Sequence, residues 1–326
     1  MTLLEDPCQN SVIARAITQN NYEIENNALF YVLLSLFNIG MNEHQLEKVY
    51  QCMTKKKKPL VMPKLSKLQS PMHSHMWQDY LGDTDMYFTY LEFFCHQIHC
   101  YGIKSVMDQY YYYGPLSQSI GSPLIHLAMG IQHHQSQVVA QGLAHLASTF
   151  QNASFIVNSS SGCFTAHQIL VDQIRVDPRF SLQSKQLLKN AQELLKDYVS
   201  LWKMPPDGLN ELRLLTVQMM VALEEMSLLL NTINALNILY PNNSCPEHMV
   251  RIQLLNLMCY YIHQGRPLIP MYNTQHALGD PYKLLKSKLQ NGTIDTHTIS
   301  TLTALQEAYN QTPLVLYKQA MMFYLQ

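Results

Sequence analysis

Apolar residues in this chain recur at three- and four-residue spacing in segment after segment, and no stretch alternates convincingly with a period of two. That pattern predicts helices and no sheet. Residues 1–20 read as a short helix or docking arm. Asn27 to Asn38 reads as a buried helix, with Leu29, Phe30, Leu33, Leu36 and Phe37 covering most of its circumference and Gly40 ending it. Asn42 opens the next helix. Asp83 and Thr84 cap a long one that runs to Cys100 and stops at Gly102, and Tyr110 to Tyr113 close another before Gly114 and Pro115. Strong periodicity runs from Ser181 to Lys203. Asn210 opens a long apolar segment to Leu239, and a helix follows Pro246 as far as Gly265. Asp280 and Asp295 open two more helices, and residues 314–326 form the last.

The stretch from Ser122 to Ala147 reads as two consecutive helical segments. Pro123 suits a first turn, and Ser136 is a candidate cap between the two. His126, Met129 and His133 fall near one face of the first segment. An imidazole on an otherwise apolar face is the most suggestive chemistry in the chain. The competing reading is a core histidine hydrogen-bonded to a neighbour.

With no repeat of solenoid period and no clean boundary, the expected architecture is all-α, an irregular multi-helix single domain over residues 1–326 with a basic loop around 54–70. Hydrophobic residues make up 47% of the chain, enough for a sizeable core, and 12 glycines argue against a turn-rich sheet protein. A net charge of -1 gives no electrostatic case for nucleic acid or an anionic membrane. The seven cysteines are odd in number and lack a Cys-x-x-Cys pair, which suits a reducing compartment. No signal-length or membrane-length apolar run occurs, so the expected location is cytoplasmic.

Other candidate chemistry is weaker. Glu92, His96 and His99 share one face of the long helix and have the spacing of a metal set, but a solvated polar stripe explains them more simply. Some of the four consecutive tyrosines from Tyr110 to Tyr113 suit a flat phenolic ligand or plain packing. Lys55 to Lys58 with Pro59 and Pro63 read as a solvated linker rather than an import signal. Glycine-rich phosphate loops, a Gly-x-Ser-x-Gly elbow and His-Glu-x-x-His are absent, and the few carboxylates are isolated.

The Ser-Pro-Leu-Ile-His run at Ser122 to His126, followed by Val-Ala-x-x-Gly-Leu-Ala, resembles the questin oxidase-like family. Further likenesses are the buried helix ending at Gly40, WQDYLG at Trp77 to Gly82, Phe93 with Phe94, LWKMP near Trp202, YYIHQGRP at Tyr260 to Pro267, and DTHTIS at Asp295 to Ser300. The resemblance implies oxidation of anthraquinone-like aromatic polyketides by oxygen, including Baeyer–Villiger-type ring cleavage with NADPH as electron source. For some members it implies non-haem iron held by inward-facing histidines and a lysine.

The same resemblance implies His126 as polar anchor or residual metal ligand, with Tyr31, Asn231 and His297 as pocket partners. The chain departs from the pattern elsewhere. Asn26 to Tyr31 replaces histidines of the first helix, and Ser122 replaces the first histidine of His-Pro-Leu-Ile-His. Asn231 replaces a histidine of the helix after Asn210, and Ser300 replaces the lysine. Asn and Ser are poor ligands for a divalent first-row metal. The expected partner is a small aromatic substrate, with neither nucleic acid nor membrane. The substitutions leave two readings, an oxidoreductase on this scaffold or a degenerate relative that acts as a ligand-binding or interaction protein.

Overall fold

The computed structural model describes residues 7–18, 29–55, 71–120, 124–156, 162–180, 191–223, 226–242, 244–269, 280–291 and 294–325. The fold is all-α: among these residues there is no strand, and extended pairing is limited to the bridges Ser119–Asn152 and Phe164–Trp202.

The helices, in order, are α1 (Ser11–Thr18), α2 (Leu29–Asn38), α3 (Glu43–Lys55), α4 (Tyr87–Met107), α5 (Leu124–Gln132), α6 (Ser136–Ser148) and the short α7 (Ala166–Gln168). They continue with α8 (Gln192–Ser200), α9 (Gly208–Ala222), α10 (Ser227–Leu239), α11 (Glu247–His263), α12 (Pro281–Asn291), α13 (Thr296–Gln311) and α14 (Val315–Leu325). Their apolar faces meet in a buried cluster that draws on every long helix, from Val12 to Leu325.

Local chemistry sets many of the boundaries. Asn42 and Gln45 form a reciprocal cap at the start of α3, each side-chain oxygen accepting from the other's backbone N–H at 3.0 Å. The α9 cap is Asp207, which accepts from the Asn210 N–H, and the α13 cap is Asp295, which accepts from the Thr298 N–H. Gly40 takes φ +80° after α2, the left-handed turn that ends a helix.

Several boundaries differ from the sequence reading. Asp83 caps a single 3-10 turn, Thr84–Met86, and α4 begins only at Tyr87. Gly102 breaks the helical geometry (φ 78°, ψ 160°), but helix resumes at once and passes into a π-helical turn, Asp108–Tyr112. Ser136 is the first residue of α6 rather than its cap; Gln135 occupies the cap with no side-chain capping bond, its amide donating back to the His133 carbonyl. The apolar run from Asn210 to Leu239 is two helices, broken where Leu223 turns extended (φ -134°, ψ 134°). Of the helix expected from Ser181 to Lys203, only Gln192–Ser200 is helical among the described residues, and residues 181–190 lie outside them. Trp202 instead pairs with Phe164, and its indole donates to Glu211, whose other oxygen accepts from the α7 backbone at Ala166.

The helices α5 and α6 form a tight antiparallel hairpin. A Cβ at Gly130 would lie 2.7–2.8 Å from Val139, and one at Gly142 would lie 2.9–3.0 Å from Leu127, backbone N included. These two glycines let the helix axes close to a separation that side chains would prevent. The helix α6 also packs along α4 on its other side.

Candidate functional site: a ring of four helices

Four helices from distant parts of the chain close into a ring: α2 packs on α5, α5 on α10, α10 on α13, and α13 back on α2. Each of these helices carries one of the four residues that the sequence singles out. Tyr31 is on α2, His126 on α5, Asn231 on α10 and His297 on α13.

Tyr31 is 2% exposed, and its hydroxyl makes no hydrogen bond of good geometry among the described residues. Burial, and then the Glu307 carboxylate, hold its pKa far above the ordinary phenol value, while the Thr303 and Ser35 side chains beside it pull the other way. Tyr31 is therefore a neutral hydrogen-bond donor at any physiological pH.

Asn231 is 2% exposed, and its Oδ1 is buried with no partner. Its position follows from register. One turn later, Asn234 Nδ2 donates to the Ala304 carbonyl of α13 at 3.0 Å; one further turn on, Asn237 Nδ2 donates to Gln311 Oε1 at 3.0 Å. Asn231 lies one turn before Asn234 on α10, and Thr301 lies one turn before Ala304 on α13. Thr301 is also buried, and its Oγ1 has no partner. A buried polar atom without a hydrogen bond costs about 1–3 kcal/mol, so these three atoms, with Gln306 Oε1 also on α13, call for a partner.

His126 sits half-buried in the first turn of α5. The hairpin register that opposes Leu127 to Gly142 brings it level with His145 in the last turn of α6. Burial, and then His126, push the His145 pKa down to about 3. A helix C-terminus favours a cation, but by about 1 kcal/mol, less than one pKa unit, so desolvation wins. His145 is neutral at pH 7.

His297 is exposed. It lies in the first turn of α13, directly after the Asp295 cap. Helical period puts it on the side that carries Ser300 and Ala304, so it stands at the open end of that face and not among the buried polar atoms. Asn26 to Ala28 and Ser122 lie outside the described residues.

Sequence reasoning passed over two residues here. His145 looked like one more position in an apolar helix, and only the hairpin register gives it His126 as a neighbour. Glu307 looked like an isolated carboxylate; its signal is helical spacing, ten residues after His297 and seven after Ser300 on one face.

The other sequence candidates are not on the four ring helices, and among the described residues only the tyrosine run reaches one of them, at the end of α10. Glu92, His96 and His99 are all exposed on α4, as a solvated stripe requires. Tyr110 and Tyr111 are buried, Tyr112 donates to the Leu239 carbonyl at 3.2 Å, and Tyr113 is 89% exposed. The basic loop past Lys55 lies outside the described residues.

Among the described residues no three His, Cys, Asp or Glu side chains converge as a metal set. The ring offers a phenol, an amide and hydroxyls where iron would need imidazoles, so these residues do not fit the metal and no step is derived through it. Among the described residues there is no strand to carry a glycine-rich turn, and no residue is assigned to a nicotinamide either. No helix among the described residues is long and apolar enough to cross a membrane.

Two comparisons with known proteins bear on this ring. The questin oxidase-like family profile matches residues 26–305, a span that includes all four ring residues and most of α13. A curated protein named questin oxidase, from Aspergillus terreus (strain NIH 2624 / FGSC A1156), is 24% identical over 131 residues. That alignment covers 37% of this chain and 29% of the fungal protein.

Proposed function

The chain belongs to the questin oxidase-like family, and from that premise we propose that it is an oxidoreductase acting on a hydroxylated, anthraquinone-like aromatic polyketide. The reaction is a mono-oxygenation. One atom of O₂ enters the substrate next to a ring carbonyl, and the other leaves as water, reduced by the two electrons and one proton of the NADPH hydride together with a second proton from solvent.

The observation that carries this reading is the set of buried, unpartnered polar atoms on three ring helices: the Tyr31 hydroxyl, Asn231 Oδ1 and Thr301 Oγ1. A flat, mostly apolar ligand edged with carbonyls and hydroxyls offers what such atoms lack. Tyr31, neutral and desolvated, donates to a carbonyl and so favours attack on it. Asn231 and Thr301 accept from or donate to hydroxyls and fix the ring plane. The neutral His145 lies beside His126, which is the polar anchor.

The test is oxygen uptake by the purified protein with NADPH and a panel of hydroxyanthraquinones, with and without added Fe(II). Substrate-dependent uptake is the expected result. No uptake across the panel overturns the enzyme reading.

A further inference from the structure

Glu307 lies on the face of α13 that approaches Tyr31, and its charge acts on that phenol. It is half-buried and enters no salt bridge among the described residues. What holds it is an amide. Gln311 Nε2 donates to Glu307 Oε1 at 3.1 Å and to the Asn234 carbonyl at 3.1 Å. The opposite atom, Gln311 Oε1, accepts from Arg213 at 3.0 Å and from Asn237 at 3.0 Å.

The orientation of that amide is forced. A guanidinium can only donate, so Arg213 requires the Gln311 oxygen on its side, and the Gln311 NH₂ must then face Glu307. Arg213 is itself fixed: 1% exposed, it also donates to Asn234, Asn210 and Thr312. The result is a rigid chain from a buried guanidinium through one amide to one carboxylate oxygen. It leaves the second oxygen of Glu307 with no hydrogen bond among the described residues.

Resting on the oxidoreductase reading above, we propose that Glu307 is the hydrogen-bond acceptor for a phenolic hydroxyl of the substrate, opposite Tyr31, which donates to a carbonyl of the same molecule. The pair reads both edges of a hydroxyquinone: a donor for its oxo group and a charged acceptor for its hydroxyl. A carboxylate also rejects the corresponding methyl ether, which brings no proton and leaves the charge desolvated. Glu307 is thus a specificity-determining residue, and Gln311 and Arg213 are positioning residues that act through it.

The test is a spectral titration with an anthraquinone hydroxylated on an outer position away from its carbonyls, and with its methyl ether. The native protein is expected to prefer the hydroxyl compound by about tenfold or more, the scale of one charge-assisted hydrogen bond. Glu307→Gln is expected to lose that preference, through weaker binding of the hydroxyl compound and tighter binding of the ether, since the neutral amide carries no charge to desolvate. Equal loss for both compounds makes Glu307 merely structural and overturns the proposal. Should Glu307→Gln fail to fold, equal affinity of the native protein for the two probes overturns it instead. If the native protein binds neither probe, the oxidoreductase reading falls first and this proposal with it; that outcome differs from binding without discrimination, which removes Glu307 alone.

Discussion

His126 and His145 interact across the α5–α6 hairpin, and burial makes His145 hard to charge, with its pKa pushed down to about 3. The unfolded chain binds a proton at His145 near pH 6.5, whereas the folded chain does not until about pH 3. Between those values the unfolded state holds more protons, so stability falls as pH falls. The stabilising contribution is complete above pH 6.5 and lost progressively down to about pH 3. This one group predicts a slope of at most about 1.4 kcal/mol per pH unit in that window. Urea titrations from pH 7 to pH 4 read it. His145→Gln should flatten the slope, and an unchanged slope would assign the pH dependence elsewhere.

The hairpin that pairs these imidazoles depends on its glycines. A methyl group at Gly142 would meet Leu127 at 2.9–3.0 Å, including backbone, which cannot rotate away. Gly142→Ala should cost about 1–3 kcal/mol by overpacking. Chemical denaturation measures the cost. A neutral effect would mean that the two helices separate freely.

Arg213 predicts a loss of a different kind. Replacing it with Met leaves Asn210, Asn234, Gln311 and Thr312 each short of a donor around a side chain that is 1% exposed. The expected destabilisation is on the order of 3 kcal/mol, since several orphaned acceptors outweigh the saved desolvation of one guanidinium. A thermal melt that matches the native protein would contradict this account of the buried network.

The helices were legible in the sequence because burial imposes a period, and α2, α3, α11, α12 and α13 begin or end where capping chemistry said they would. The breaks were less legible. Leu223 gives no punctuation, so α9 and α10 read as one run. The expected Ser181–Lys203 helix took in Trp202, whose backbone instead pairs with Phe164, remote in sequence, and whose indole donates to Glu211. At the candidate site, three of the four chosen residues came from family likeness. His145, Thr301 and Gln311 acquire meaning only from packing between helices, and no local pattern reports that; Glu307 carries no local signal beyond its spacing to His297 and Ser300.

Tyr31→Phe separates function from stability. The lost hydroxyl has no hydrogen bond of good geometry to give up, so folding stability should change by less than about 1 kcal/mol. Affinity for a hydroxyanthraquinone should fall by about tenfold or more. Calorimetric melts and the spectral titration together check this. A large stability loss with unchanged binding would make Tyr31 a core residue and nothing more.

The most direct test of the account is turnover under ¹⁸O₂, in the presence of NADPH and a hydroxyanthraquinone, by the native protein and by Tyr31→Phe and His126→Ala. The account predicts one labelled oxygen atom in the native product and a rate lower by about tenfold or more in each variant. Label incorporation at the native rate in both variants would place the chemistry outside the four-helix ring and contradict it.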